Sequence, residues 1–175
     1  RKLFEKAIAA NNENEKCHLL LADYMDRHHF AENKSISDIS SLVKLATIIK
    51  AYGNSMRFGS TFVLQSMPRF LQIWFDTTVE TLNCSEKEKT KTSRASITSQ
   101  MNRYVKEMVK TLRPYYFYTA FSQVISRLCH PSQDVYKILK YILVKLIEEY
   151  PLESMWFVMP GLKSKKVCRV NRTRD

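Results

Sequence analysis

Glycine and proline are scarce in this 175-residue chain, which has only three glycines and five prolines. Average usage near 7% would give about 12 glycines in a chain of this length. The phosphate-binding loops of kinases and nucleotide-binding folds group several glycines closely, whereas Gly53, Gly59 and Gly161 stand apart. Turn-dense all-β folds also use more of both residues. The composition therefore excludes such loops and favours an all-α fold.

Long apolar runs and paired cysteines are absent as well. Lys137, Lys140 and Lys145 interrupt the longest apolar stretch, so the sequence predicts no membrane-spanning helix. Four widely spaced cysteines in a chain of this size favour a reducing intracellular compartment over a disulfide framework. The chain begins Arg-Lys-Leu without a signal-peptide pattern, and we expect it to be a segment of a longer protein.

Positive charge dominates what is present. The 28 lysines and arginines exceed the 17 acidic residues and give a net charge of +11. The excess is concentrated after Gly161, in Lys163, Lys165, Lys166, Arg169, Arg172 and Arg174. This balance is compatible with nucleic acid, an acidic membrane or an acidic protein surface as partner, and it does not distinguish among them.

Apolar residues recur at helical spacing over most of the chain. Stripes at steps of three and four residues occupy Ile39–Tyr52, Ile97–Leu112, Phe117–Leu128 and Val135–Ile147. Ser132 and Asp134 are suited to begin the last of these helices. From Ile97 onward the pattern is helix, short turn, helix, at intervals of about 20 residues. It predicts an all-α solenoid of stacked helical hairpins, with a closed helical bundle as the alternative.

Two segments depart from this pattern. Phe58–Phe75 is almost wholly apolar, which predicts an enclosed helix with a kink at Pro68 and an unbonded carbonyl at Leu64. Residues 83–96 hold little to bury and are predicted to form a mobile, charged loop. The dense apolar surroundings of Trp74 and Trp156 predict that both side chains lie in the core.

Residues suited to catalysis or metal binding occur without a convincing spacing. The candidates considered are a zinc site from Cys17, His18, His28 and His29, a nucleophile and base from Cys129 and His130, and an acid–base pair from Asp23 and Asp26. Adjacent helical residues point about 100° apart, so the neighbouring pairs cannot easily act on one atom. We interpret these residues as helix ends and solvated faces. No GxSxG, HExxH, DFG or HRD-type string occurs, so we predict no catalytic, cofactor-binding or metal-binding residue.

An aromatic cluster, Tyr115–Tyr118, lies beside Arg113. Such side chains can stack on nucleic-acid bases. The alternative, which we favour, is helix packing with the tyrosine hydroxyls at the boundary of the core. The basic residues after Met159 are predicted to be unable to fold alone, with Gly161 ending the helix before them. They could contact phosphate, an acidic protein surface or solvent.

Four strings, in order, resemble the ATR-type checkpoint kinases, members of the phosphatidylinositol-kinase-related protein kinases. They are YGNSMRFGSTFVLQSMPRFLQIWFD (Tyr52–Asp76), YTAFSQVISRLCH (Tyr118–His130), EYPLESMWFVM (Glu149–Met159) and RVNR (Arg169–Arg172). In that family these strings lie at the C-terminal end of the FAT region, just before the kinase domain. The resemblance weakens over residues 83–96 and before Leu45.

The resemblance implies a fold and a setting. Residues 1–55 would be the last tetratricopeptide-like helices of the FAT region, residues 56–160 its HEAT-like end, and residues 161–175 a basic linker towards a kinase domain. Family members are nuclear serine/threonine kinases that respond to DNA damage and replication stress, use Mg-ATP, bind a partner subunit and form homodimers. None of their catalytic motifs falls in this chain. We therefore expect a non-catalytic scaffold that meets its own kinase domain, with no specific nucleic acid or membrane partner. The alternative is a free-standing basic helical module that binds nucleic acid or an acidic protein.

Overall fold

The computed structural model describes residues 2–31, 38–83 and 88–175, and every regular element within these ranges is an α-helix. The helices are α1 (Lys2–Ala10), α2 (Glu15–Ala31), α3 (Ile39–Phe58), α4 (Val63–Asn83), α5 (Glu88–Thr111), α6 (Pro114–Tyr118), α7 (Phe121–Ser126), α8 (Gln133–Glu149), α9 (Pro151–Leu162) and α10 (Val167–Arg174). Short turns join most successive helices, as expected for helical hairpins. The predicted all-α class is confirmed.

The chain forms two compact units, Arg1–Leu112 and Arg113–Asp175. The boundary inferred from the resemblance at residues 55 and 56 falls inside α3, and the boundary at residues 160 and 161 falls inside α9. The assignment of a tetratricopeptide-like part followed by a HEAT-like part stays a prediction.

The core of the first unit surrounds α3, which packs against α2, α4 and α5. Trp74 of α4 is fully buried, as predicted, and its indole Nε1 donates a hydrogen bond of 2.8 Å to the side-chain oxygen of Asn102. Gly53 of α3 faces the ring of Tyr104, and a side chain there would collide with the tyrosine hydroxyl. This close approach of α3 and α5 explains the one glycine in the interior of α3. Burial raises the pKa of Tyr104 to about 12.

An ion pair between the buried Asp26 and the partly buried Arg69 joins α2 to α4. The Asp26 carboxylate accepts hydrogen bonds from Nε and Nη2 of Arg69 at 2.5 and 2.8 Å, and a third from the Tyr52 hydroxyl at 3.2 Å. The guanidinium also lies 4.8 Å from the centre of the Phe30 ring. Burial, with the neighbouring Asp26 charge, raises the pKa of Tyr52. The interpretation of Asp26 as a solvated residue is therefore wrong, because the pairing with Arg69 compensates its burial.

Glu15, the first residue of α2, binds the backbone that leads into α4. Its carboxylate oxygens accept hydrogen bonds from the amides of Thr61, at 3.3 Å, and Phe62, at 2.9 Å. These donors lie at a helix start, where amides lack partners within the helix and negative charge is favoured. The enclosed helix predicted over Phe58–Phe75 is thus divided, since Phe58 ends α3 and α4 begins at Val63. Pro68 lies inside α4, and the kink there stays a prediction.

The charged loop predicted over residues 83–96 is wrong from Glu88 onward, because those residues form the first turns of α5. Asn83 ends α4, and residues 84–87 lie outside the described ranges. Arg94 is buried, and Thr98 donates a hydrogen bond of 3.3 Å to Thr81 on α4. Glu, Lys and Arg are good helix formers, so the low apolar content is compatible with a helix, and five of the six side chains at residues 91–96 are exposed.

The second unit has α8 at its centre, in contact with α6 and α9. Ser132 begins α8 as predicted, since its hydroxyl accepts a hydrogen bond from the Val135 amide at 3.5 Å. The single helix predicted over Phe117–Leu128 is two short helices, α6 and α7. Between them, the Thr119 hydroxyl donates a hydrogen bond of 2.7 Å to the Tyr116 carbonyl, an alternative to continuous helix that favours a break.

We predict that Asp26→Ala lowers the free energy of unfolding by about 3 kcal/mol, because Arg69 and Tyr52 lose their buried partner. Asp23→Ala on the same helix is the matched control. Asp23 pairs with the exposed Arg27 at 2.7 Å, and loss of such a surface pair costs about 0.5 kcal/mol or less. Urea denaturation of both variants measures the difference. Equal losses would contradict the assignment of Asp26 as a structural ion pair.

Candidate interaction surface

The inner face of α9 is anchored to its neighbours by small residues. Ser154 is buried and its hydroxyl donates a hydrogen bond of 3.0 Å to the Leu146 carbonyl near the end of α8. Gly161 is buried against Thr173 of α10, and an added Cβ would come within 2.5 Å of the threonine hydroxyl. Gly161 therefore allows α10 to approach α9 closely. The prediction that Gly161 ends the helix is wrong, since α9 continues to Leu162.

The outer face of α9 exposes a stripe of four large apolar side chains. Leu152, Met155, Trp156 and Met159 are 77%, 43%, 79% and 50% exposed. Their spacing of i, i+3, i+4 and i+7 places them on one side of the helix. The prediction of a core position for Trp156 is therefore wrong. We name these four residues the α9 stripe.

Charged residues of opposite sign lie near the two ends of α9 in the sequence. Three exposed acidic residues precede or begin α9: Glu148, Glu149 and Glu153. Three exposed lysines follow its C-terminal end: Lys163, Lys165 and Lys166. An apolar band with a charged rim is typical of surfaces that bind other protein elements.

Arg172 holds α10 against the turn that precedes α8. Its Nη1 donates hydrogen bonds to the carbonyls of Leu128 and His130 at 2.7 and 2.8 Å, and its guanidinium lies 4.2 Å from the centre of the Tyr136 ring. Arg169 also donates to the Ser126 carbonyl at 3.4 Å. Two of these arginines thus bind carbonyls of the same unit, and the assignment of residues 161–175 as a basic linker towards a kinase domain stays a prediction.

Asp175 adds a second attachment for α10. Its carboxylate accepts a hydrogen bond of 2.7 Å from the Tyr136 hydroxyl and pairs with Lys140 at 3.2 Å. These two partners lower the pKa of Asp175. Burial, with the Asp175 hydrogen bond, raises the pKa of Tyr136 to about 12. The attachment of α10 through Asp175 is therefore complete at pH values above the ordinary pKa range of an aspartate. It weakens as the pH falls and Asp175 becomes protonated.

The candidate metal and acid–base residues do not converge. His18 is buried, and its ring Nε2 lies 2.8 Å from the Asn12 carbonyl, while Cys17 is a partly buried free thiol. His29 is buried beside the Phe30 ring, whereas His28 is exposed. Within the described ranges, no three metal-ligating side chains form a group that could hold an ion. None of the helices in these ranges has both the length and the apolar content that a membrane span requires.

The aromatic cluster Tyr115–Tyr118 packs within the second unit. Tyr116 and Phe117 are buried, and the Tyr118 ring stacks on Phe121 at 5.7 Å between centroids. His130 is buried in the turn before α8, where its Nδ1 accepts a hydrogen bond of 3.1 Å from the Ser132 amide. This arrangement favours the helix-packing interpretation over a base-stacking surface, and it gives the ring of His130 a structural role.

The two tryptophans provide a direct test of the α9 stripe. We predict that Trp74→Ala lowers the free energy of unfolding by about 3–5 kcal/mol, because it leaves a cavity in the core. Trp156→Ala should change it by less than about 0.5 kcal/mol, because the side chain is mostly exposed. Thermal and urea unfolding measure both. A large loss of stability in Trp156→Ala would show that the side chain is buried and that the stripe is not a surface.

The attachment of α10 can be tested by hydrogen–deuterium exchange. Arg172→Ala removes the donor to two carbonyls, so the amides of α10 should exchange at least about tenfold faster. Arg174→Ala, an exposed arginine on the same helix, is the control and should leave exchange unchanged. Equal exchange in the two variants would contradict the anchoring role of Arg172.

Comparisons with known proteins agree with this architecture. Residues 100–175 match the family model of the HEAT repeats of serine/threonine-protein kinase ATR-like proteins. The match extends through the last residues of the chain, which the structure folds as α9 and α10. It lies in a helical-repeat region and not in a kinase domain. No solved structure gave a significant match.

Curated relatives match almost the whole chain. It is 34% identical over 175 residues to the serine/threonine-protein kinase ATR of Drosophila melanogaster, covering 99% of this chain and 6% of that protein. It is 31% identical over 184 residues to the protein kinase rad3 of Schizosaccharomyces pombe, covering 98% of this chain and 8% of the relative. The serine/threonine-protein kinase MEC1 of Candida albicans is 22% identical over 98% of this chain. The chain thus spans under a tenth of the length of these relatives, and it is a helical segment related to the ATR-like serine/threonine-protein kinases, whose HEAT-repeat model its residues 100–175 match.

Proposed function

We propose that this chain is a non-catalytic scaffold segment of a nuclear serine/threonine checkpoint kinase that signals DNA damage and replication stress. In this proposal it belongs to the C-terminal part of the FAT region, supports the kinase domain and takes part in partner assembly. The observation that carries the proposal is the α9 stripe, which is an exposed apolar face. The segment that bears it corresponds to under a tenth of the length of its kinase relatives.

The shape of the surface supports a scaffold. Leu152 and Trp156 lie more than three-quarters exposed on a helix whose other face is anchored by Ser154 and Gly161. Isolated exposed apolar residues are normal on protein surfaces, whereas a contiguous stripe favours a protein contact. A rigid helix with a fixed outer face presents its side chains without first ordering them, which lowers the cost of binding.

Phosphoryl transfer is assigned to a separate kinase domain. That chemistry requires carboxylates that hold Mg²⁺, a lysine at the phosphates and a positioned base. Among the described residues, no group of three potential metal ligands occurs, and no step of the reaction is assigned here. We propose that Mg-ATP binds to that separate domain, that the scaffold meets it within one polypeptide, and that it also takes part in binding a partner subunit and in homodimerisation.

Specific nucleic-acid binding is not part of the proposal. Arg169 and Arg172, two of the six basic residues that suggested it, donate to backbone carbonyls of their own unit. Lys163, Lys165 and Lys166 are exposed and follow α9 in the sequence, where they are available for a protein contact. No membrane partner is proposed either.

The scaffold role is tested by phosphate transfer. We expect the purified 175-residue chain with Mg-ATP to phosphorylate a serine-containing substrate no faster than a protein-free control. In the full-length kinase, Trp74→Ala should lower phosphorylation severalfold by weakening the scaffold core, while Leu64→Ala on the exposed side of α4 should not.

Two results would contradict the proposal. One is turnover by the isolated chain, which would require catalytic groups within it. The other is a full-length Trp74→Ala kinase that keeps normal activity although its scaffold is shown by proteolysis to be destabilised. Nuclear location is tested separately by imaging the tagged full-length protein, and exclusion from the nucleus would contradict that part.

A further inference from the structure

Two cysteines that are far apart in the sequence lie together in the second unit. Cys129 lies in the turn that follows α7, and Cys168 is the second residue of α10. The Cys168 thiol is in hydrogen-bond contact with the Cys129 sulfur. Cys168 is exposed, Cys129 is half-buried, and both are free thiols. The fold therefore presents a solvent-accessible pair of thiols on two separate elements.

Hydrogen bonds that do not involve the thiols hold the two elements together. Arg172, one turn after Cys168, donates to the two backbone carbonyls that flank Cys129, at 2.7 and 2.8 Å. Arg169, directly after Cys168, donates to the Ser126 carbonyl at 3.4 Å. These contacts place the first turns of α10 against the turn that carries Cys129. The proximity of the two cysteines is thus a consequence of the packing of α10.

We propose that Cys129 and Cys168 are a covalent modification site, at which a low-molecular-weight disulfide converts the two thiols to an intramolecular disulfide. The bond fastens α10 to the turn that follows α7. A disulfide requires two side chains that point towards each other, and the thiol contact provides that orientation. Reducing compartments keep such pairs as thiols, and the disulfides that form there are usually transient and sense oxidants. The inference goes beyond the scaffold role and does not depend on it.

The reaction consists of two thiol–disulfide exchange steps. The exposed Cys168, as a thiolate, attacks one sulfur of glutathione disulfide, whose S–S bond breaks as a mixed disulfide forms and one glutathione thiolate leaves. The Cys129 thiolate then attacks the Cys168 sulfur, which forms the protein disulfide and releases the second glutathione thiolate. Two protein thiols are oxidised and one glutathione disulfide is reduced to two thiols. The two protons pass through solvent to the departing thiolates.

The contact between the thiols also affects the rate of exchange. The hydrogen bond with Cys129 raises the pKa of Cys168, because it stabilises the protonated thiol. The positive charges of Arg172 and Lys166 act in the opposite direction without outweighing it. Tyr136 faces the same thiol from α8. Since the thiolate is the nucleophile, the first step is slow at neutral pH and becomes faster as the pH rises.

Oxidation makes the attachment of α10 less dependent on Arg172. In the reduced chain, the hydrogen bonds of Arg172 hold α10, and Arg172→Ala is expected to speed amide exchange there. A disulfide at Cys168 holds the same helix one turn earlier by a covalent bond. The α10 amides of the oxidised Arg172→Ala variant should therefore exchange at least about tenfold more slowly than those of its reduced form.

The experiment uses the 175-residue chain with Cys17→Ser and Cys84→Ser, which leaves the proposed pair as its two cysteines. The protein is equilibrated with reduced and oxidised glutathione, about 1 mM in total at about pH 8, and its intact mass is measured after acid quenching. The product that has lost two hydrogen atoms should exceed the glutathione adduct at least about tenfold, because contacting thiols have a high effective concentration. Non-reducing digestion should join the peptides of Cys129 and Cys168, and dithiothreitol should separate them.

A matched control moves the thiol by one residue along α10. Val167→Cys combined with Cys168→Ser places it at a position that is 72% exposed, about 100° around the helix. The separation from Cys129 in the sequence is almost unchanged, so only the direction of the side chain differs. This variant should form at least about tenfold less intramolecular disulfide and should accumulate the glutathione adduct. Circular dichroism verifies that each variant is folded.

Three results would overturn the inference. The first is a chain with the native pair that accumulates glutathione adducts without an intramolecular disulfide. The second is a Val167→Cys, Cys168→Ser control that forms the disulfide as readily as the native pair. The third is an oxidised Arg172→Ala variant whose α10 amides exchange as fast as in the reduced form. The scaffold proposal is judged separately, by phosphate transfer in the full-length kinase.

Discussion

The second unit depends on the guanidinium of Arg172. Backbone carbonyls at the end of a helical segment need donors, and Arg172 supplies one to Leu128 and His130. Those bonds place α10 where Thr173 can lie against Gly161 of α9. The inner face of α9 is thereby covered, and its apolar outer face is the one left for a partner. A partly buried charged side chain thus helps to determine which hydrophobic surface is available.

Three of the four sequence strings that suggested the family come together in this unit. Phe157, from EYPLESMWFVM, lies with its ring 5.0 Å from that of Phe121, from YTAFSQVISRLCH. Arg172, the last residue of RVNR, binds carbonyls at the end of the same YTAFSQVISRLCH string. Segments far apart in the chain therefore form one small core. Their residue types are explained by mutual contact within the fold, without any catalytic role.

Polar residues of the same type have different roles in the first unit. Asp23 and Asp26 lie one turn apart on α2, yet one pairs with the exposed Arg27 and the other with the partly buried Arg69. The difference arises because Arg69 of α4 and Tyr52 of α3 both reach the Asp26 carboxylate. Glu15 similarly caps a helix start that lies 46 residues away in the chain. The contacts of Asp26 and Glu15 each join α2 to residues of α4 or to the segment that leads into it. They stabilise the packing of the helices and do not form a reactive site.

The sequence alone determined the all-α class, the positions of most helices, the burial of Trp74 and the capping of α8 by Ser132. These depend on local spacing and on nearby residues, and the four family strings add the relationship to ATR-like kinases. Only the tertiary structure decided that Trp156 is exposed while Trp74 is buried, that residues 88–96 form the start of α5, and that Arg172 is an internal anchor. An apolar run has the same local pattern whether its helix faces a core or a partner. What separates the two cases is which distant segments cover each face, and that is a property of the folded chain.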